Sequence, residues 1–322
     1  MTLWCLGSVN LDRFYRVPHI LAPGETLAAH GLVTGIGGKG ANMSVAAARA
    51  GERVALIGAV GEDGVWARER LAQWGVDTRY LEVAEGPTGH AIIAVADDGE
   101  NTIIIHPGAN HRIGLAAVEA ALAEAVPGEW CLIQNETNLQ VETAERARAA
   151  GLKIAYAAAP FTAEAAVRMA PLADLLILNR VEMEQLQAAT GRGPAAQGVP
   201  AVVVTAGADG AFLHAASPSD GAASGGAASG GAASGGGASA GGASGEGGPP
   251  RHVPAVPVAA VDTTGAGDTF TGYLLAGLGT GIAGQRLGMV EAMELAARAG
   301  AVMVTRHGTA DVIPRLDEVR AI

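Results

Sequence analysis

The sequence alternates short apolar runs, rich in Leu, Val and Ile, with longer Ala-rich segments of helical periodicity. The apolar runs predict strands at 3–9, 54–60, 130–134, 153–157, 175–178 and 201–205. The Ala-rich segments predict helices at 42–50, 65–74, 115–125, 142–150, 163–169, 182–189, 268–278 and 290–304. Because the strands are apolar on both faces, this α/β alternation predicts a mostly parallel sheet covered by helices on both sides. Such sheets bind ligands at the carboxyl ends of their strands.

Two extended segments interrupt this alternation. Residues 90–106 form two strand-like runs around an Asp-Asp-Gly-Glu-Asn turn, which is typical of a hairpin. The segment after Asp12 is similarly extended and contains Pro18 and Pro23. We predict that about 13–34 and 88–106 form a small β-sheet lid beside the main sheet. Since an exposed apolar lid face needs cover, a homodimer through the lid is the expected assembly.

Residues 215–250 are a Gly/Ala/Ser repeat that contains nothing to bury. The repeat predicts a flexible insertion at the tip between two strands, with a functional tail as the alternative. The remainder of the 322-residue chain is long enough for a large hydrophobic core, and we expect residues 1–322 to form a single domain.

Composition and charge exclude several functional classes. The net charge of −11 and the absence of a basic cluster argue against a nucleic-acid partner. Cys5 and Cys131 lie in apolar runs without metal-ligand spacing and are expected to be buried free thiols. No apolar run approaches the ~20 residues of a membrane span, and polar residues interrupt the first one early. We expect a cytoplasmic protein with no membrane partner.

Polar residues follow the first predicted strand. Asn10 and Asp12 are two residues apart and therefore lie on one face of an extended chain. Oxygen-rich side chains at the carboxyl end of a strand are suited to grip neighbouring hydroxyls of a polyol. A turn with solvated polar residues is the alternative.

A glycine-rich segment at 35–51 precedes and enters an Ala-rich helix. Its glycines allow close backbone approach to a ligand, and Lys39 and Asn42 offer donors at the helix start. The segment also has the G-x-G-x-x-G spacing at Gly35, Gly37 and Gly40. That spacing leaves a nicotinamide-dependent dehydrogenase as an alternative, although the strand that should directly precede such a loop is replaced by the predicted lid segment.

Two strand ends supply candidate nucleotide contacts. Asn179 and Glu182 stand at a strand-to-helix junction, where a carboxylate can orient magnesium-bound water near phosphates. In the alternative, Glu182 only complements the helix dipole. Thr205 ends the next strand, and Gly207 and Gly210 follow it in a turn that either walls a nucleotide or simply connects two strands.

The segment DTTGAGD, from Asp262 to Asp268, opens an apolar helix. The backbone amides of Gly265, Ala266 and Gly267 fall in the first turn, where no intrahelical acceptor exists, and form a candidate anion cradle. A carboxylate beside a bound phosphate would repel it, so its presence here is explained best if it faces a second substrate. Asp268 is therefore a candidate base that accepts a hydroxyl proton while the cradle holds the attacked phosphoryl group. A simple N-cap is the alternative.

Seven motifs together resemble the ribokinase-like (PfkB) carbohydrate kinase family, in the family's order, from Gly7 to about Pro314. They are GSVNLD, PGET, GGKGAN, VGEDG, HPGAN, NRVE and DTTGAGDTF. The last is highly specific. The resemblance implies a three-layer α/β/α fold with a mostly parallel central sheet and a small β-sheet lid that often makes a dimer. It also implies transfer of the γ-phosphoryl group of MgATP to a primary hydroxyl of a small sugar, with ribose expected.

The resemblance also assigns residues by position. Asp268 is the implied base, beside an anion hole of Gly265, Ala266 and Gly267. The implied sugar contacts are Asn10, Asp12, Gly38, Lys39, Asn42, Glu136 and Asp268. The implied ATP contacts are Asn179, Thr205, Gly207 and Gly210, with Glu182 acting on magnesium through water. A monovalent cation, such as K⁺, is implied near Asp262, Thr264, Met303, Arg306 and Gly308.

The sequence departs from the family's usual residues at four places. An Asn-Pro-Ala-Pro run is replaced by YAAAPF, which keeps Pro160 but not the Asn. Asn135 and Thr137 flank Glu136 in place of an apolar residue and Ser. Ala297 stands where a ring-stacking residue is often found near adenine, and Val312 where a polar cation ligand is frequent. Alternatives therefore include kinases of another sugar, sugar acid or nucleoside, and a catalytically silent sugar-binding protein.

Overall fold

The computed structural model describes residues 1–215 and 248–322. Most of the predicted 215–250 insertion lies outside the described residues. The strands are β1 Thr2–Leu6, β2 Asn10–Val17, β3 Gly31–Gly37, β4 Arg53–Val60, β5 Val76–Asp77, β6 Leu81–Val83, β7 Gly89–Ala96, β8 Asn101–His106, β9 Trp130–Ile133, β10 Lys153–Ala157, β11 Leu175–Asn179, β12 Ala201–Thr205, β13 Ala211–Ala215 and β14 Arg251–Val253.

The helices agree closely with the predicted segments. They are α1 Lys39–Arg49, α2 Val65–Gln73, α3 Leu115–Leu122, α4 Gln140–Ala149, α5 Ala163–Met169, α6 Arg180–Thr190, α7 Ala266–Leu278, α8 Met289–Met303 and α9 Leu316–Arg320. Helix α9, which is a single short turn, and the brief strands β5 and β6 were not predicted from the sequence. All three are too short to show a periodic pattern.

Ten strands form the central sheet, in the order β14-β13-β12-β11-β10-β9-β1-β4-β5, with β6 also paired to β4. The pairs from β12 through β10, β9 and β1 to β4 are parallel, whereas β13 and β14 add an antiparallel edge. This confirms the prediction of a mostly parallel sheet.

Side-chain alternation along the strands produces two buried cores. On β1, Leu3 and Cys5 join the core beneath α1, α2, α7, α8 and α9, whereas Trp4 and Leu6 join the core beneath α3, α4, α5 and α6. Cys5 and Cys131 are buried free thiols, as predicted. The three-layer α/β/α arrangement expected from the sequence is therefore confirmed.

A separate sheet of four strands, in the order β3-β2-β7-β8, forms the lid. Its strands extend a few residues beyond the predicted segments, to Asn10 on one side and Gly37 on the other. The hairpin predicted at 90–106 is confirmed by antiparallel pairing of β7 with β8. Within the residues that the structure describes, no helix is long and apolar enough to span a membrane.

The prediction that the first strand continues to Val9 and ends at Asn10 and Asp12 was wrong. β1 stops at Leu6, and Asn10 is the first residue of lid strand β2. The chain leaves the sheet at Gly7 because Gly7 packs directly on Gly40 of α1, where an added Cβ would lie 2.5 Å from the Gly40 Cα. Asn10 and Asp12 still share one face, but it is a face of the lid.

Candidate active site

The glycine-rich segment bridges the lid and the central domain. Gly35 and Gly37 lie in β3, and α1 begins at Lys39, directly after Gly38, whose φ of 90° suits glycine. Gly37 pairs with Asn10 across the lid, and the Asp12 carboxylate lies over Gly37 so closely that any Cβ there would collide with it. The G-x-G-x-x-G spacing therefore spans an antiparallel lid strand rather than a strand–turn–helix of the parallel sheet, which removes the physical basis for a dinucleotide site.

Asp268 lies in the first turn of α7 and is buried, with 8 % of its surface exposed. The Asn42 amide donates a hydrogen bond of 2.8 Å to its carboxylate oxygen Oδ2. The helices that carry these two residues approach closely because Gly272 of α7 packs on the Met43 carbonyl, where a Cβ would lie 2.4 Å away. The packing of α1 on α7 thus brings together two residues that are 226 positions apart in the sequence.

The backbone before Asp268 forms a turn with Gly265 in the left-handed region, at φ 73°. The Ala266 amide donates to the Thr263 carbonyl at 3.3 Å, and the Thr269 amide returns to the Gly265 carbonyl at 2.8 Å. The amides of Gly265, Gly267 and Asp268 have no hydrogen-bond acceptor among the described residues. The Gly267 position faces open space, since a Cβ there would meet nothing within 4 Å. The free donors are therefore those of Gly265, Gly267 and Asp268, and the Ala266 amide is engaged.

Lys39 and Glu136 stand beside Asp268. The Glu136 carboxylate oxygen Oε2 accepts hydrogen bonds from the Ser8 hydroxyl and, at 3.0 Å, from the Lys39 amide. The carboxylates of Asp268 and Glu136 raise the pKa of the Lys39 ammonium despite its burial. Lys39 is therefore a cation held among carboxylates at neutral pH.

The pKa of Asp12 is raised to about 7, first by burial and then by the neighbouring carboxylates Glu136 and Asp268. Asn10 is held by Asn110, whose amide nitrogen donates to Asn10 Oδ1 at 2.8 Å and whose own oxygen accepts from the Val9 amide. Asn110 and Ser8 were not predicted as site residues from the sequence. Ser8 lies in the family motif GSVNLD and Asn110 in HPGAN, and these motifs were the sequence signal that could have identified them.

Two neighbouring cavities meet at this point. The smaller one, of about 160 Å³, is lined by Lys39, Asn179, Glu182, Gly265, Gly267 and Asp268 together with apolar residues such as Met43 and Ile177. The larger one, of about 820 Å³, has mainly apolar walls, among them Val256, Val258, Phe270, Ala297 and Val304. All four predicted ATP contacts, Asn179, Thr205, Gly207 and Gly210, line the larger cavity. Asn179, Thr205 and Gly267 border both cavities.

Asn179 and Glu182 form a reciprocal capping box at the start of α6. The Asn179 side chain accepts from the Glu182 amide and the Glu182 carboxylate accepts from the Asn179 amide, both at 2.8 Å. Burial raises the pKa of Glu182, partly opposed by that backbone hydrogen bond and by Lys39. Only oxygen Oε2 is used in the capping box, so Oε1 of this cavity-lining carboxylate has no hydrogen-bond partner among the described residues. This oxygen donor fits a role on a magnesium-bound water.

The residues expected around a monovalent cation come from two loops that touch each other. Asp262 accepts from the Thr264 amide at 2.9 Å and from the Gly308 amide at 3.5 Å, and its own amide donates to the Val304 carbonyl. Burial raises the pKa of Asp262, but these hydrogen bonds outweigh it and the net shift is downward. Met303 ends α8 beside this loop, and the Arg306 guanidinium is engaged with the Val312 carbonyl and Glu318. Backbone carbonyls and an ionised carboxylate suit such a cation.

An α/β fold with a lid, and a carboxylate at a helix N-terminus beside unpaired amides and a large adjoining cavity, fit the class of phosphoryl-transfer enzymes, in which positioning and charge stabilisation supply the catalysis. Residues 2–223 and 237–316 match the pfkB family carbohydrate kinase, and the chain belongs to that family.

Named relatives of this chain are similar along nearly its whole length. A ribokinase of Haemophilus influenzae is 32% identical over 332 residues, covering 98% of this chain and 96% of the relative. The crystal structure of ribokinase from Cryptococcus neoformans in complex with ADP matches with a TM-score of 0.77 at 29% identity, covering 99% of each chain. The structure of Arabidopsis thaliana ribokinase complexed with ribose and ATP also matches with a TM-score of 0.77, at 25% identity, covering 99% of this chain and 97% of that one.

Proposed function

We propose that this protein is an ATP-dependent ribokinase, which transfers the γ-phosphoryl group of MgATP to the primary hydroxyl of ribose. The observation that carries the proposal is the position of Asp268. Its buried carboxylate lines the smaller cavity beside the free amides of Gly265 and Gly267, and Gly267 also borders the larger cavity. Among the similar structures, the ribokinase of Cryptococcus neoformans is in complex with ADP and that of Arabidopsis thaliana with ribose and ATP.

Each side of the junction has a role in the proposed reaction. Asp268 aligns the sugar hydroxyl and accepts its proton as the oxygen attacks. The unpaired amides at the start of α7 and the helix dipole stabilise the negative charge of the transferring phosphoryl group. Lys39 is a cation among carboxylates, and it neutralises negative charge between Asp268 and the phosphoryl group.

We assign the sugar to the space between the smaller cavity and the lid. Asn10 and Asp12 on the lid, and Gly38, Lys39, Asn42 and Glu136 on the domain, supply the hydrogen-bonding groups. When the lid is closed over the sugar it excludes water, which limits hydrolysis of ATP. Magnesium, bound with ATP, would be reached from Glu182 through water. We place the reaction in the cytoplasm, where ATP is available.

A coupled ADP-release assay tests the proposal with a panel of ribose, other sugars, sugar acids and nucleosides, with and without K⁺ at constant ionic strength. We expect the highest kcat/KM with ribose. A preference for a nucleoside or a sugar acid would refute the assignment of the acceptor. No ADP release with any acceptor, despite sugar binding by calorimetry, would favour the catalytically silent protein. Faster turnover with K⁺ than with Na⁺ would support the proposed cation loop.

We also propose that two copies associate through the lid. Edge strand β8 exposes Ile103, Ile104 and Ile105, each more than half exposed, and β3 exposes Leu32 and Val33. Exposed apolar side chains at both edges of the lid favour a partner that covers them, and a second copy of this chain offers matching side chains. We expect a dimer by sedimentation velocity, and a monomer for Ile105→Asp. Val126→Asp is the matched control, because Val126 is 59% exposed but lies outside the lid.

A further inference from the structure

The loop that carries Glu136, residues 134–139, is fastened by polar contacts at both of its ends. One oxygen of Glu136, Oε2, is occupied by the Ser8 hydroxyl and the Lys39 amide. The other oxygen, Oε1, has no hydrogen-bond partner among the described residues and is free for a sugar hydroxyl. The position of this loop therefore determines where that free oxygen points.

The first end of the loop is held through Asn135. The Asn135 amide donates to the Ala159 carbonyl at 3.0 Å, and its side-chain nitrogen donates to the Pro160 carbonyl at 3.0 Å. Its side-chain oxygen accepts a hydrogen bond of 2.7 Å from the Tyr156 hydroxyl. Because an amide has distinct donor and acceptor ends, the Tyr156 and Pro160 contacts together fix its orientation.

The second end is held through Asn138. Its side chain makes hydrogen bonds of 3.2 and 3.0 Å with the amide and carbonyl of Ile113, and its backbone amide reaches the Asn110 carbonyl at 3.4 Å. Asn110 in turn holds Asn10 of the lid. The loop thus lies between the group that positions Asn10 and the segment after β10.

Tyr156 is the one member of this set with no surface exposure, and it packs in the core beneath α3, α4, α5 and α6. Burial raises the pKa of its hydroxyl to about 12, so the group stays protonated and donates at every working pH. Asn135 is the partner that the described residues offer to this hydroxyl. An apolar residue at 156 would leave the Asn135 side chain held by the Pro160 carbonyl alone and its oxygen without this donor.

We propose that Tyr156 is a positioning residue for the sugar: its hydrogen bond to Asn135 sets the loop that aims Glu136 at the acceptor. The inference rests on the proposed function of the site. Tyr156 touches neither substrate in this assignment and acts through Asn135. Its effect should therefore fall on the sugar, and not on ATP or on the chemical step.

The test compares Tyr156→Phe, Asn135→Leu and their double variant by steady-state kinetics, with calorimetric ribose binding as a readout that does not depend on turnover. We expect Tyr156→Phe to raise the KM for ribose about fivefold, with kcat and the KM for ATP nearly unchanged. Added to Asn135→Leu, it should cause little further rise, because both act through one loop.

Tyr273→Phe is the matched control. Tyr273 is also fully buried and its hydroxyl donates one hydrogen bond, of 2.9 Å, to the Pro314 carbonyl. We expect a similar loss of Tm in both Phe variants but a higher ribose KM only in Tyr156→Phe. An unchanged ribose KM in Tyr156→Phe, an equal rise in the ATP KM, or full additivity with Asn135→Leu would overturn the inference. Lack of ribose-dependent ADP release by the unaltered protein would instead overturn the proposed function, and it is seen before any variant is made.

Discussion

The two cavities of the site differ in the side chains that line them. The smaller one is lined by the charged side chains of Lys39, Glu182 and Asp268 beside apolar ones such as Met43, and the buried amide of Asn42 holds the Asp268 carboxylate. The larger one has walls of Val, Ala and Phe, with polar side chains mainly where the two cavities join. A site of fixed hydrogen-bonding groups rejects molecules that lack a partner group, whereas an apolar wall discriminates weakly. We infer that selectivity resides on the sugar side.

The largest expected effect comes from the carboxylate at the junction. Asp268→Asn keeps the shape and the hydrogen-bonding capacity of the side chain but removes the base, so kcat should fall by about 10²–10⁴-fold. The affinity for ADP, measured by calorimetry, should change little because the larger cavity is untouched. Substantial retained activity would contradict the role of Asp268 as the base and would weaken the contrast between the two cavities.

Substrate analogues test the contrast directly. Monodeoxy riboses that lack a hydroxyl held by Asn10 or Asp12 should lose about 10²-fold or more in kcat/KM. Replacement of ATP by GTP should cost about tenfold or less, because Val256, Ala297 and Val304, which line the larger cavity among the described residues, have aliphatic side chains that cannot hydrogen-bond the edge of the base. Both are measured by ADP or GDP release under equal conditions. A greater penalty for GTP than for every deoxy sugar would reverse our interpretation.

A pair of lysine substitutions separates the effect of the positive charge in the smaller cavity from the general effect of losing a lysine. Lys39→Met should raise the KM for ribose about tenfold or more, because it leaves Asp268 and Glu136 without their cation. The KM for ATP should rise less. Lys153→Met is the control, since Lys153 is at the start of β10, at the opposite end of the strand from the site. Equal effects of both substitutions would argue against a specific role for Lys39.

A smaller effect is expected from pH. Because the pKa of Asp12 is raised to about 7, the carboxylate is mostly protonated at pH 6 and mostly ionised at pH 8. If the ionised form accepts sugar hydroxyls, the KM for ribose should fall by up to about tenfold over that range. Asp12→Asn should remove this dependence. A flat KM profile in the unaltered protein would contradict it.

The raised pKa of Asp12 also predicts that the free energy of unfolding falls as pH rises, whereas sugar binding improves. In the unfolded state the Asp12 carboxyl has its ordinary pKa of 3.8. The native state therefore binds a proton at Asp12 more tightly than the unfolded state does. The contribution of Asp12 to the free energy of unfolding is therefore complete below about pH 4 and is lost as pH rises through about 7. In the absence of sugar, Asp12→Asn should raise Tm at pH 8 relative to the unaltered protein, and less so at pH 5. Thermal unfolding at the two pH values checks this sign.

Much of the fold was predictable because its signals are local. The α5 and β10 boundaries were predicted to the residue, and α7 within two residues, since periodicity, strand-like apolar runs and helix-start chemistry all act over a few neighbours. The motifs around Asn42, Glu182 and Asp268 were also visible in the sequence. By contrast, the end of β1 was misplaced, because an apolar run continues to Val9 and only the packing of Gly7 on Gly40 turns the chain away.

By itself, the sequence determined the α/β architecture, the lid, and the residue types that carry phosphoryl transfer, because each is written in a short stretch. Only the tertiary structure decided which groups meet. It assigned the free amides of the cradle, brought Asn42 onto Asp268, and joined Asn135 to the Tyr156 hydroxyl. These contacts require separate strands and helices to be positioned relative to one another to within a few tenths of an ångström. Such distances follow from the packing of the whole core, and no single segment contains them.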